Sequence, residues 1–275
     1  MKAKFDLLFV CIFFLSYTSF AVGNTESDST AVSGIFLNNN GSQISMREQY
    51  ESGYWISRPS NGKLIVIGIS NPMSRRDSEI ASAKEDAARK VAMFYGIYGS
   101  VETTNRTGAD YFDYLYNSNI ELIYETNYEQ YIEQLTFDPL NDVLITGEAV
   151  FIRFQHDTAI QDIGFNARMI NNRPSWTRAQ DIPVFDGYVT AVGFAINQRR
   201  LKDTIYKSTE DAIARMIENL STTVYAEEIT GTGQGFSGYV QTKSIGRLNN
   251  FRVVDFWIEP ETRFVYTLAI AEHGE

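Results

Sequence analysis

Cysteine and histidine are almost absent from this chain. Its 275 residues include one cysteine, Cys11, and two histidines, His156 and His273. That scarcity excludes much chemistry. No Cys-x-x-Cys, His-Glu-x-x-His or Gly-x-Ser-x-Gly motif occurs, so redox, zinc-peptidase and nucleophile-elbow readings have no residues to stand on. Metal binding by a histidine cluster fails on number, and no EF-hand loop is present. Basic residues are also few, 24 against 34 acidic, for a net charge of −10. A negative surface disfavours nucleic acid and anionic lipid, both of which are polyanions. Long hydrophobic runs are missing as well. The longest, Leu7–Leu15, has nine residues, about half of the roughly 20 needed to span a bilayer.

That short run has its own meaning. Lys2 and Lys4 precede it, and Ser19-Phe20-Ala21 comes after it with small residues at the two positions that a signal peptidase reads. Residues 1–21 therefore read as a cleaved secretory signal, with Val22 as the mature start. Cys11 lies inside the run, after Val10. A lipidated cysteine would follow a small residue at the end of the run. Removing the signal takes away Lys2, Lys4 and Asp6, which moves the net charge from −10 to −11. It also takes away the one cysteine, so a disulfide-free fold held by its core is expected. Those features suit a bacterial periplasm. No transmembrane segment is expected in the mature chain.

Residues 22–48 are rich in Ser, Thr, Asn and Gly and bury too little apolar surface to offset their ordering entropy. They read as a leader. The rest is 44% hydrophobic and 13% aromatic by whole-chain composition, enough for real cores.

The central feature is an internal likeness. "SAKEDAARKVAMFY" begins at Ser82 and "KSTEDAIARMIENL" at Lys207, and sliding the chain by 125 superposes Glu85-Asp86-Ala87 on Glu210-Asp211-Ala212. The same shift places Gly68 on Gly193 within "KLIVIGIS" (63–70) and "YVTAVGFA" (188–195). A tryptophan precedes each strand, Trp55 and Trp176, and an arginine pair lies beyond each. Downstream, 135–155 resembles 255–272: a strand, an acidic turn with proline, then a strand. Their shared order implies duplication.

Ile80, Ala83, Ala87, Ala88, Val91 and Phe94 recur at helical spacing, as do Leu201, Ile205, Ala212, Ile213, Met216, Leu220 and Val224. Glu85, Asp86 and Arg89 fall on the opposite, solvated face. The expected class is α+β: two tandem modules, 49–160 and 174–275, each an amphipathic helix packed on its own small antiparallel sheet.

Between helix and closing strands the copies diverge. The first carries Tyr111, Tyr114, Tyr116, Tyr124, Tyr128 and Tyr131. Tyr111, Tyr114, Tyr124 and Tyr128 form a candidate face for stacking on sugars or burying against a protein. Alternation through Glu121–Leu135 favours cross-strand packing instead. The second carries "GTGQGFSG" (231–238). It does not open a helix after a strand, as a phosphate loop must, and reads as a flexible connection. Acidic pairs can hydrolyse glycosides without any motif, but nothing singles out such a pair. No catalytic, cofactor-binding or metal residue is assigned, and no cofactor is expected.

The tryptophan segment, the strand ending in Gly-x-Ser or Gly-x-Ala, the helix with "EDAAR" or "EDAIAR", and the closing "VVDFWIEPETRFVYTLAIA" together resemble a bacterial envelope family. It is the family of the flagellar outer-membrane lipoprotein FlgP and the N-terminal module of the flagellar assembly protein FlgT. The likeness is clearest over 174–272 and covers 53–155 more weakly. It implies a helix on a small antiparallel sheet, and a non-enzymatic envelope component acting through protein partners, copies of itself included. This chain departs in carrying two modules and no lipidation cysteine. The expected function is an assembly or scaffold protein of the periplasm or outer membrane. The alternative is a carbohydrate- or peptidoglycan-binding module using the tyrosine face.

Overall fold

The computed structural model describes residues 36–37, 43–44, 62–108, 117–165, 167–171, 173–220, 223–232 and 235–274. For 36–37, 43–44, 104–108, 117–119, 223–232 and 235–241 it describes the backbone alone. The signal segment and most of the leader lie outside these residues. Within the leader, β1 (Phe36–Leu37) pairs antiparallel with β2 (Gln43–Ile44).

The fold is α+β with antiparallel sheets. Next in chain order come β3 (Lys63–Ser70), α1 (Arg76–Tyr95), β4 (Ile97–Gly108), β5 (Asn117–Tyr124), β6 (Val143–Ile145) and β7 (Val150–Ala159). A two-stranded ribbon, β8 (Met169–Ile170) with β9 (Arg173–Pro174), leads to β10 (Val189–Ala195), α2 (Leu201–Leu220), β11 (Thr223–Thr232), β12 (Gly235–Ile258) and β13 (Val265–His273). One sheet has the order β3-β7-β6; the other runs β10-β13-β12-β4-β5, with β11 also on β12.

Both helices lie where the apolar periodicity places them, and each crosses its strand at a glycine. A Cβ on Gly68 would stand 2.0 Å from the Ala83 carbonyl oxygen, and one on Gly193 would stand 1.9 Å from that of Ser208. Gly68 and Ala83 shifted by 125 are Gly193 and Ser208. Only glycine allows that approach. The strand register matches too: Ser70 faces Val150, the first residue of β7, and Ala195 faces Val265, the first residue of β13.

Under α1, Ala83, Ala87, Ala88, Val91 and Phe94 pack on Leu64, Val66, Ile152 and Phe154. Under α2, Ala212, Ile213, Met216 and Ile217 pack on Ala191, Leu248, Ala269 and Ala271. A third cluster joins the two halves of the chain: Ile67, Ile69 and Phe151 meet Leu201, Ile205, Phe256 and Val265. At about 1.5–3 kcal/mol per large buried side chain, this seam couples the halves strongly. The fourth cluster sets Trp176, 1% exposed, against Val254, Trp257, Leu268 and Ile270, so the connecting segment covers the back of the second sheet.

Three expectations need correcting. The halves do not keep separate sheets. β4, from the first, pairs with β12 along twelve residue positions, from Ser237↔Gly108 to Leu248↔Ile97. β12 is long enough to pair with β11 and β4 together over its first part and with β13 from Leu248 on, and it bends through register shifts at Asn249/Arg252 and Val253/Asp255. Asn250 supplies positive φ (52°) at that bend, a conformation that asparagine tolerates well. Next, the alternation in Glu121–Leu135 is not one strand. β5 ends at Tyr124, and Tyr128–Gln134 is a 3-10 helix whose first turn is capped when Asn127 accepts from Glu129 N. Last, the glycine-rich 231–238 is mostly strand: Gly231 and Thr232 close β11, and Gly235–Gly238 open β12.

Candidate functional site

The features that repeat along the chain are polar contacts at strand edges. In an antiparallel strand, backbone N–H and C=O groups point alternately to the two sides. Ile69 N points away from β7, and Asp86 Oδ2 accepts its proton at 2.8 Å. Phe194 N points away from β13, and Asp211 Oδ2 accepts its proton at 2.8 Å. Each aspartate also takes a cation one helical turn on, Lys90 at 2.7 Å and Arg215 at 2.9 Å. Before each helix a loop amide is held the same way: Met73 N donates to Glu79 Oε1 at 2.7 Å, and Gln198 N donates to Thr204 Oγ1 at 3.0 Å. Every pair is separated by 125 positions. Asp86 is thus no solvated-face residue, as its helical phase suggests; its side chain is 11% exposed. A short polar chain at the margin of an apolar stripe can reach the strand edge, and the helical period does not reveal that.

Beyond the aspartates the two edges differ. Lys90 Nζ goes on to donate to Ile67 O at 2.6 Å, so the next outward carbonyl of β3 is capped. Its outward face is also covered. Ile65, Ile67 and Ile69 line a cavity of about 40 Å³ against Ile205, Phe251 and Phe256. On β10, Arg215 Nε turns to Asp211 instead. The outward groups of Thr190 and Val192 make no backbone bond among the described residues, and Thr190, Val192 and Phe194 are all partly exposed.

The tyrosines are separated. Tyr111 and Tyr114, with Tyr116, lie outside the described residues. Tyr124 packs partly buried on the α2 cluster, its hydroxyl 3.4 Å from that of Tyr206. Burial pushes the Tyr206 phenol well above its ordinary range, with the Tyr124 hydrogen bond adding to it. Tyr128 belongs to the α1 cluster; its hydroxyl donates to Glu85 at 3.3 Å and its ring lies 4.7 Å from the Arg89 guanidinium. Tyr131 is buried, stacked on Tyr95 at 5.2 Å and edge-on to His156. His156 sits mid-strand, bonded to Thr158 Oγ1 at 2.6 Å and Gln134 Oε1 at 3.0 Å; burial holds its imidazole below the ordinary value.

Asp255 is the outstanding buried charge. It is 0% exposed, and Trp176 Nε1 donates to its Oδ2 at 3.0 Å. Its Oδ1 has no hydrogen-bond partner among the described residues. Burial drives its carboxyl well above the usual range, only partly offset by hydrogen bonding from the Trp176 indole and the Phe256 backbone amide. The sequence offered no signal for it beyond an acid between apolar strand residues. A cleft of about 430 Å³ between the two helix-leading loops is lined by Asn71, Met73, Glu148, Arg199 and Arg200, where Glu148 is engaged by Arg263.

Among the described residues no group of three acidic, histidine or cysteine side chains is placed to hold a metal, and no helix is long and apolar enough to cross a membrane. Comparison with family models, with curated proteins and with solved structures finds no match for this chain.

Proposed function

We propose that this chain is a non-enzymatic assembly protein of a bacterial envelope, secreted across the inner membrane and acting through protein contacts. It is built as two copies of one strand–helix–hairpin–strand unit. The observation that carries the reading is the set of contacts repeated at an interval of 125: the Gly68 and Gly193 crossings, the Asp86 and Asp211 edge bonds, and the matched registers of β3–β7 and β10–β13. Two copies of one unit associate here by strand pairing, β4 on β12, and by an apolar seam. A unit that associates with its own duplicate through edges and seams is suited to building larger assemblies. The signal-like start and the likeness to the FlgP and FlgT envelope family point the same way.

In-cell chemical cross-linking with fractionation tests it. The chain is expected in the periplasmic or outer-membrane fraction, in cross-linked species larger than a monomer. A monomer confined to the cytoplasm would contradict the proposal.

A further inference from the structure

We infer that the free edge of β10 pairs with the same edge of a second copy, giving a two-fold dimer with a continuous sheet. The inference rests on the proposed assembly role and names its partner. Natural sheet edges are shielded by charge, proline, brevity or cover, because open N–H and C=O groups recruit further strands. The other edges have such devices. β3 is capped by Asp86 and Lys90 and covered by the second half. β6 has three residues. β5 carries Glu121, and β11 carries Glu227 and Glu228. From Tyr188 to Ala195 the sequence is "YVTAVGFA", with no charge and no proline.

Backbone bookkeeping selects the register. Tyr188 N is taken by Phe185 O and Phe194 N by Asp211. Among the described residues, the outward residues with both groups open are Thr190 and Val192. An antiparallel copy that sets Thr190 opposite Val192 satisfies all of them with four backbone hydrogen bonds, and the dyad then falls beside Ala191. Shifting the strands by one outward pair leaves the Thr190 carbonyl opposite the amide Asp211 already holds. At the dyad the two Ala191 residues form a close, non-hydrogen-bonded pair, where a small side chain permits approach. Arg215, at the place Lys90 holds beside β3, flanks this edge with its charge offset by Asp211. One short strand buries less than the ~800 Å² per partner of a standard interface, so the dimer is reversible.

Sedimentation velocity on the full chain over a wide concentration range tests this, together with Val192→Pro. That proline removes an outward N–H and leaves the β13 ladder intact. A reversible dimer is expected for the wild type, with at least tenfold weaker association for the variant at unchanged circular dichroism. In a Cys11→Ser background, Ala191→Cys is expected to form an intermolecular disulfide on mild oxidation and Val189→Cys is not; this decides the matter should Val192→Pro fail to fold. A wild type that stays monomeric with no Ala191→Cys cross-link overturns the pairing, as does equal cross-linking at Val189→Cys or undiminished dimer in folded Val192→Pro. Should that monomer still enter cross-linked envelope assemblies, the assembly reading stands and the self-pairing alone fails.

Discussion

Asp86 accepts the backbone proton of Ile69 at 2.8 Å, fastening the middle of α1 to the outward side of β3. Asp211 does the same for Phe194. A helix lying on a sheet can slide along its apolar face, since hydrophobic contact is non-directional. A hydrogen bond from strand edge to helix fixes the axial position.

Removing either aspartate should therefore destabilise the fold. Asp211→Ala leaves a part-buried amide unpaired and is expected to cost about 1–3 kcal/mol. Asp86→Ala should cost more, because it also removes the ion-pair partner of Lys90, whose side chain is 18% exposed. Urea unfolding measures both. Losses under about 0.5 kcal/mol would mean that the bonds do not anchor the helices.

The glycine crossings should be intolerant. Gly68→Ala and Gly193→Ala each drive a Cβ to about 2 Å from helix backbone. Backbone cannot yield as a flexible side chain can, and losses of about 3 kcal/mol or more are expected. Gly246→Ala is the control, since its Cβ would meet Ile217 Cγ2 at 3.4 Å; it should cost less than about 1 kcal/mol. Thermal melts of the three variants would show whether the order holds.

Asp255 gives the fold a pH dependence with a definite sign. Its carboxyl is raised in the folded chain, so the native state holds a proton that the unfolded chain releases. Below the ordinary aspartate value of about 3.9 both states are protonated and the residue costs nothing extra. As pH rises above that value the unfolded state ionises first, and stability falls until the folded group also titrates. Asp255→Asn keeps an acceptor for Trp176 Nε1 and cannot ionise. It should match or exceed the wild type in Tm at pH 7, with the difference narrowing toward pH 4. A variant that is least stable, relative to wild type, at pH 7 would show that Asp255 is held as a carboxylate.

Tyr124 and Tyr128 should behave as packing residues. Each sits partly buried in a different cluster with its hydroxyl near a protein partner. Changing either to alanine is expected to lower stability by about 1–3 kcal/mol, as partial loss of a buried aromatic does. Peptidoglycan pull-down checks the other side: retention of the wild type that is lost in folded Tyr124→Ala or Tyr128→Ala would restore a carbohydrate-binding role.

The helices, the repeated Gly68 and Gly193 and the strands 63–70 and 188–195 were legible because periodicity and repetition leave marks in local sequence; that a helix crosses each strand at its glycine appears only in the structure. Pairing of β4 with β12 left none. Strand pairing between residues more than 125 positions apart depends on backbone groups that every residue carries. Asp86 and Asp211 stood in plain view within the repeated "EDA", yet helical phase assigned Asp86 to solvent and gave Asp211 no role. Their role emerges only when a strand edge is placed within reach. The tyrosine stretch misled for a related reason: alternation is shared by strands and by a chain that turns into a 3-10 helix after Tyr124.

A photoreactive amino acid placed singly at Thr190 or at Ile65 in the full chain, and irradiated in living cells, tests the pairing of β10 edges most directly. Thr190 lies on the open edge of β10, and Ile65 on the outward face of β3 that the second half covers. Intermolecular adducts are predicted from position 190 and not from position 65. Equal yields at both positions, or none at either, would contradict it.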